Sequence, residues 1–263
     1  MHSEALRVPE RLGSAAVPVK ECAGRMSDRN KDAVGETRRA SPRIWDTDWL
    51  ILRPLARLLR EQAAARAKRG ALMVDLGCGD MPYAAAMRAI GFDYRGADIG
   101  SGGDLRIDTQ GRVPLADKCA DVVISIQVLE HVRDLDAYCA EIRRLLSDEG
   151  VLLLSTHGTW LYHPHPEDHR RWTRTGLALD LSNRGFSIEE VHAIAGPLAT
   201  ATLIRLTGFA HFIRKLPLAG QLVARLLTIV MNLRAVLEDY ITPSQVRNDN
   251  ACVFLVRARK CEQ

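Results

Sequence analysis

The sequence predicts an α/β protein built on a doubly wound, mostly parallel sheet. Three observations carry this. From Ala71 onward, short apolar stretches alternate with longer stretches of helical period. The first apolar stretch runs straight into a glycine turn, Gly77-Cys78-Gly79, which opens the next helical stretch. With 263 residues, 47% of them hydrophobic, the chain can fill one full-sized core and carry extensions.

The elements follow in order. Residues 1–42 mix charges, Gly, Pro and Ser without apolar periodicity and are expected to form a disordered tail. Residues 43–70 hold an N-terminal helix, about Thr47–Lys68. Its Leu52, Leu55, Ala56, Leu59 and Ala63 fall three and four apart, on one face. Residues 71–195 form the core. Ala71–Leu76, Asp93–Asp98, Asp121–Ile126, Val151–Ser155 and Phe186–Ala193 read as strands. Tyr83–Ile90, Leu135–Leu146 and Thr173–Arg184 read as helices. Residues 196–248 depart from this alternation. Two apolar helical stretches, about Ala199–Arg214 and Ala219–Tyr240, are split by Leu216-Pro217-Leu218 and read as an inserted helical hairpin. Residues 249–263 return to the core with a last strand at Ala251–Ala258.

Composition narrows the function. A net charge of +4, with no dense Lys/Arg run, argues against a nucleic-acid partner. The six cysteines contain no C-x-x-C pair, which argues against a zinc knuckle or a disulfide scaffold. The N-terminus has no apolar core of a signal peptide. No uninterrupted apolar run reaches the roughly 18–20 residues of a membrane span. A cytoplasmic protein is expected.

Val74-Asp75-Leu76-Gly77-Cys78-Gly79-Asp80 is the most informative stretch. An apolar strand ends beside an acid, and glycines let the backbone pass close to a ligand. In open α/β sheets, ligands bind at the carboxyl ends of strands. The spacing D-x-G-x-G differs from the dinucleotide fingerprint G-x-G-x-x-G, which disfavours an NAD-dependent oxidoreductase. Asp75 and Asp80 would repel phosphate and welcome an ammonium, and S-adenosyl-L-methionine (SAM) carries both an ammonium and a sulfonium. Asp98, nineteen residues past Gly79 at the end of the second strand, can accept hydrogen bonds from both ribose hydroxyls. Asp108 follows in a loop, within reach of an adenine amino group.

VDLGCGD, the strand-end Asp98 and PLADKCADVVISIQVLEHVRD resemble the class I SAM-dependent methyltransferases of the small-molecule, ubiquinone-biosynthesis type. The resemblance covers about Ala71–Val191 and the last strand. It implies a Rossmann-like, seven-stranded fold and SAM as cofactor. It also implies that Asp75, Gly77 and Gly79, with Cys78 in the same turn, line the methionine and ribose part of SAM. Asp98 would hold the ribose, Ile99 would pack on the adenine, Asp108 would bond it, and Gln127 would lie near the methionine.

Thr156 to Thr173 follows a strand's carboxyl end and is rich in His, aromatic residues and Arg. A neutral His there can take the proton of an acceptor hydroxyl. His165 and His169 are the leading candidates, with His131 after Glu130 as the third. Each also has a plain structural reading as a loop or helix-start residue. His163, His165 and His169 with Glu167 and Asp168 could supply metal ligands, but Pro164 and Pro166 force an extended chain that builds no closed shell, so no metal is expected. The H-P-x-D-x-x-R-W-T string also resembles a segment of methyltransferases that sit among glycan- and lipid-assembly enzymes. The acceptor is then expected to be small or lipid-linked, methylated on oxygen. The rival reading is a catalytically silent SAM-fold partner. The 199–240 hairpin would be a lid, a homodimer contact or a basic amphipathic element on a membrane surface.

Overall fold

A computed structural model of the protein describes residues 38–217 and 219–261. Of the expected tail, residues 1–37 lie outside the described residues. The strands are β1 (Leu72–Leu76), β2 (Asp93–Asp98), β3 (Leu105–Arg106), β4 (Ala120–Ile126), β5 (Leu146–His157), β6 (Phe186–Ile194) and β7 (Val253–Lys260). The helices are α1 (Trp49–Ala64), α2 (Ala84–Ile90), α3 (Leu135–Leu145), α4 (Arg174–Ser182), α5 (Pro197–Ile213), α6 (Gly220–Ile241) and α7 (Ser244–Asp249). A short 3₁₀ turn spans Leu129–His131.

The seven strands form one sheet in the order β3-β2-β1-β4-β5-β7-β6. Pairs β1–β2, β2–β3, β1–β4 and β4–β5 are parallel, and β7 runs antiparallel between β5 and β6. The expected Rossmann-like, mostly parallel, doubly wound sheet is what the chain forms.

Strand alternation sends side chains to two cores. Met73 of β1 and Val122 and Ile124 of β4 pack with Leu55 and Leu59 of α1 and Leu203 and Leu206 of α5. Val74 of β1 and Val123 of β4 pack on the other face with Ile142 and Leu145 of α3 and Leu177 and Leu181 of α4. Each such fully buried side chain contributes roughly 1.5–3 kcal/mol relative to exposure.

Two elements were not read from the sequence: the two-residue β3 and the short α7. Strand β5 also begins earlier than expected. Leu146 is wholly buried and pairs with Ala120, although Asp148 and Glu149 make that stretch look like a loop.

The inserted hairpin forms as expected. In α5, Ala199, Leu203, Leu206 and Ala210 are buried; in α6, Ala224, Thr228, Met231 and Ala235 are buried. Both sets recur at four, three and four residues, one stripe on each helix. The hairpin joins β6 to the antiparallel β7, so it leaves and rejoins the sheet at the edge where the parallel strands end. That edge also carries a large cavity.

Candidate functional site

A cavity of about 890 Å³ opens at the carboxyl edge of the sheet. One part of its lining is Gly77, Gly79, Asp98 and Ile99; another is His131, His157, Trp160, His163 and His165.

On the first side, β1 ends at Leu76 and the chain turns through Gly77 (φ +82°) and Gly79 (φ +52°). A side chain at Gly77 would place its Cβ 2.7 Å from both γ-carbons of Val128, on the cavity wall. At Gly79 a Cβ would meet no protein atom within 4 Å. The Gly79 N–H donates to Asp98 Oδ2 (2.9 Å), and the Gly100 N–H donates to Asp98 Oδ1 (2.7 Å). The Asp98 carboxylate therefore braces the turn after β1 against the turn after β2. Ile99 beside it is 63% exposed, an apolar side chain left for a flat ligand. Gln127 takes a positive φ of 56°, and its N–H donates to Ser155 O at 2.9 Å, which carries the end of β4 to the cavity.

The structure places three of the expected cofactor residues elsewhere. Asp75 is buried behind the cavity, where the Tyr94 hydroxyl donates to its carboxylate, and burial pushes its pKa up to about 7. Cys78 is also buried; its Sγ would lie 2.8 Å from a Cβ at Gly96, so it packs the turn against β2. Asp108 does not line the cavity. Its Oδ1 accepts from the N–H groups of Gln110 and Arg112 at 2.8 Å each, folding a loop whose Ile107, Thr109, Gln110 and Gly111 line the cavity instead.

The other side gathers histidines from two loops. His157 closes β5 and is buried, with Nε2 3.3 Å from Glu130 Oε1. That approach lacks hydrogen-bond geometry and leaves Glu130 Oε1 buried without a partner; the other ring nitrogen, His157 Nδ1, is also buried without one. Glu130 Oε2 accepts from the Thr156 hydroxyl at 2.8 Å. Burial, then the neighbouring His163, push the His157 pKa down to about 3; burial pushes Glu130 up to about 7. The His163 ring packs edge-on against His157 (4.8 Å between centroids) and against His131 (5.0 Å). His131 Nδ1 sits 2.5 Å from the Glu167 carbonyl. Donor atoms of Glu130, His131 and His163 lie within 4.8 Å of one another, so this trio has the spacing to hold a divalent ion.

An Arg–Asp clamp holds this wall. Arg171 reaches Asp168 with Nη1 (2.5 Å) and Nη2 (2.7 Å), and Nη2 also reaches the Leu161 carbonyl (2.7 Å). Asp168 accepts from the His163 N–H at 2.9 Å, and the Arg171 guanidinium holds its carboxyl well below the usual range. At the end of the same string, Thr173 caps α4 by accepting from the Gly176 N–H at 3.0 Å, and Trp172 is buried.

Of the candidate bases, His131 and His165 line the cavity. His169 does not. Its Nε2 is 3.1 Å from Glu167 Oε2 on the outer face of the loop, and its N–H donates to the Glu130 carbonyl. His157, absent from the candidates, is the most enclosed histidine of the group. Its signal was position: it stands at a strand's carboxyl end, hidden because the strand was read as stopping at Ser155.

The methyltransferase domain family model matches residues 49–196, more than half of the chain. The chain belongs to the methyltransferase domain family. The chain is 30% identical over 146 residues to a probable S-adenosylmethionine-dependent methyltransferase of Mycolicibacterium smegmatis, covering 49% of the chain and 57% of the relative. It is 27% identical over 116 residues to a ubiquinone biosynthesis O-methyltransferase of Mesorhizobium japonicum, covering 38% and 47%. The chain spans about half the length of the curated relatives it matches. Among solved structures, it is similar to the [4+2]-cyclase SpnF (TM-score 0.53, 18% identity, 81% of this chain and 84% of that one). It is also similar to Haemonchus contortus phosphoethanolamine N-methyltransferase 2 in complex with S-adenosyl-L-methionine (TM-score 0.52, 15% identity, 87% and 60%). Likenesses at these identities concern the fold alone, and one of the two proteins is a cyclase.

Proposed function

We propose that this protein transfers a methyl group from SAM to a hydroxyl of a small or lipid-linked acceptor. The observation that carries the reading is the single cavity bounded both by the Gly77–Gly79 turn with Asp98 and by the histidine wall. The cofactor fits the first side. The backbone at Gly79 faces open space, Asp98 offers a carboxylate for ribose hydroxyls, and Ile99 offers an exposed apolar face. When bound, SAM supplies an electrophilic methyl group on a sulfonium.

The chain's residues have two further tasks. They hold the acceptor in line, and alignment alone supplies roughly 7–11 kcal/mol. They also accept the acceptor's proton, which adds about 10²–10⁴-fold. His157 suits that task because it lines the cavity and is neutral at physiological pH. The O-methyltransferase names among the relatives favour oxygen as the methylated atom.

Calorimetry with SAM and with NAD, followed by turnover assays on hydroxylated acceptors, tests this reading. SAM is expected to bind at micromolar strength and NAD not at all. NAD binding would refute the reading. SAM binding with no turnover on any acceptor would favour the catalytically silent partner instead.

A further inference from the structure

One large surface is unused by the site just described. On α6, Leu222, Leu226, Val230, Leu233, Leu237 and Tyr240 are each between 55% and 83% exposed. They recur at four, four, three, four and three residues, so they share one side of the helix, within an arc of roughly 100° at about 100° per residue. The buried stripe of Ala224, Thr228, Met231 and Ala235 occupies the other side. Phe209 and Phe212 of α5 add exposed rings, 53% and 71%. A contiguous exposed apolar face of this kind marks an interaction site.

The charge of the hairpin says what covers that face. No Asp or Glu occurs between Glu190 and Glu238, whereas Arg205, Arg214, Lys215, Arg225 and Arg234 all do, and all are exposed. Arg234 pairs with Glu238 at 2.8 Å. The other four carry no ion pair among the described residues. Arg225 lies at one margin of the apolar stripe on α6 and Arg234 at the other, where long side chains can keep their charge in water while their stems lie along apolar surface. A second copy of this chain, docked by a twofold axis, would set the same basic surface against itself. An acyl-chain layer under anionic headgroups complements both features at once.

Helix α6 is long and apolar enough to cross a bilayer by length and composition, with mean hydropathy 1.4 over its best window. Its polar anchors argue for lying on the surface. Asn232 Nδ2 donates to the carbonyls of Ile44 (2.7 Å) and Asp46 (3.0 Å). Asp239 Oδ1 accepts from the Gly196 N–H at 2.6 Å, and the Thr202 hydroxyl donates to Glu238 Oε2 at 2.5 Å. Crossing would strand all of these groups in hydrocarbon.

We infer that the α5–α6 hairpin is a docking surface for an anionic membrane, lying in the interface plane with its apolar face toward the acyl chains. The hairpin emerges at the same sheet edge as the cavity. Through Asn232 it also holds the segment that leads into Asp48, Ile51 and Leu52 on the cavity wall. Docking therefore brings the cavity next to the bilayer, where a lipid-linked acceptor would reside. That last step rests on the proposed methyl transfer; the docking itself does not.

The test is sedimentation of the full chain with vesicles of phosphatidylcholine alone and with roughly 30% phosphatidylglycerol, at about 0.05 M and about 0.5 M salt. Binding is expected only to the anionic vesicles, reduced at least about fivefold by the higher salt. The L226S/V230S/L237S variant changes exposed positions only and is expected to lower the partition coefficient about tenfold or more. R214Q/K215Q/R225Q is expected to weaken binding to anionic vesicles. Calorimetry of both variants with SAM checks that the cofactor site is intact and separates this inference from the methyl-transfer reading. The inference is overturned if wild-type protein stays in the supernatant, if neutral vesicles bind it equally, or if the serine variant binds as wild type does. It is also overturned if light scattering shows a dimer that the serine variant dissolves.

Discussion

Replacing Asp98 should weaken the cofactor site in two ways at once. The carboxylate already receives two backbone N–H groups, Gly79 on Oδ2 and Gly100 on Oδ1. It is also the acceptor proposed for the ribose hydroxyls. Asp98→Ala removes the ligand's charge-assisted bond, worth roughly 1.5–3 kcal/mol, or about 10–150-fold in affinity. It also frees two N–H donors and loosens the turn that must meet the ligand. Asp98→Asn is the sharper probe. An amide has one oxygen, so one of the two backbone donors would face an NH₂ group. The isosteric change should therefore cost nearly as much as the truncation. Calorimetry with SAM and with S-adenosylhomocysteine measures both variants, and circular dichroism checks that they fold. An Asn variant that binds within ~threefold of wild type would show that the carboxylate does not brace the turn as argued.

Two further outcomes follow from the same geometry. Asp75 keeps its proton to about pH 7 in the folded chain against about 3.8 unfolded, so the folded state binds more protons between those values and its stability falls as pH rises through them. Asp75→Asn should remove this loss, on the order of 4 kcal/mol, so thermal melts of the ligand-free variant and wild type should agree near pH 4 and separate in the variant's favour near pH 8; parallel curves would refute it. His157→Gln should keep SAM affinity and lose about 10²–10⁴-fold in turnover, whereas His169→Ala should change turnover little; the reverse ranking would return the proton-accepting role to the outer loop.

The sheet was legible because its local signals agree with its tertiary context. Val122, Val123, Ile124 and Ile126 are apolar on both faces of β4, as a strand covered on both sides must be. The failures were also physical. Two-residue β3 is held by its pairing with Ala97 and Asp98, which no window of Leu105–Arg106 reveals. At the site, Gly77, Gly79, Asp98 and Ile99 could be placed because they sit at strand ends, where topology decides position. Asp108 could not, because its carboxylate folds its own loop. The choice among histidines was beyond the sequence for a similar reason. His163 is turned to the wall by the Asp168–Arg171 clamp, while His169, six residues on, is drawn outward to Glu167. Side-chain pairing within the loop decides which ring faces the cavity.

The opposite displacements of Glu130 and His157 have one origin. Both groups are buried, and each keeps one polar atom without a partner, Glu130 Oε1 and His157 Nδ1. Burial, the largest cause for both, penalises carboxylate and imidazolium, so each is driven toward neutrality. A pKa near 3 would make an isolated His157 a weak proton acceptor. It is not isolated, because Glu130 Oε1 lies 3.3 Å from its Nε2. The ring can turn an Nε2–H toward Glu130 by a small movement. A proton taken from an acceptor hydroxyl would then reach a ring already facing a carboxyl group. The imidazolium so formed and the Glu130 carboxylate stabilise each other in a setting too dry to stabilise either alone, much as a buried acid supports the histidine of a hydrolase triad. Under the proposed role, Glu130→Gln should therefore keep SAM affinity and lower turnover, which calorimetry and a turnover assay together would read.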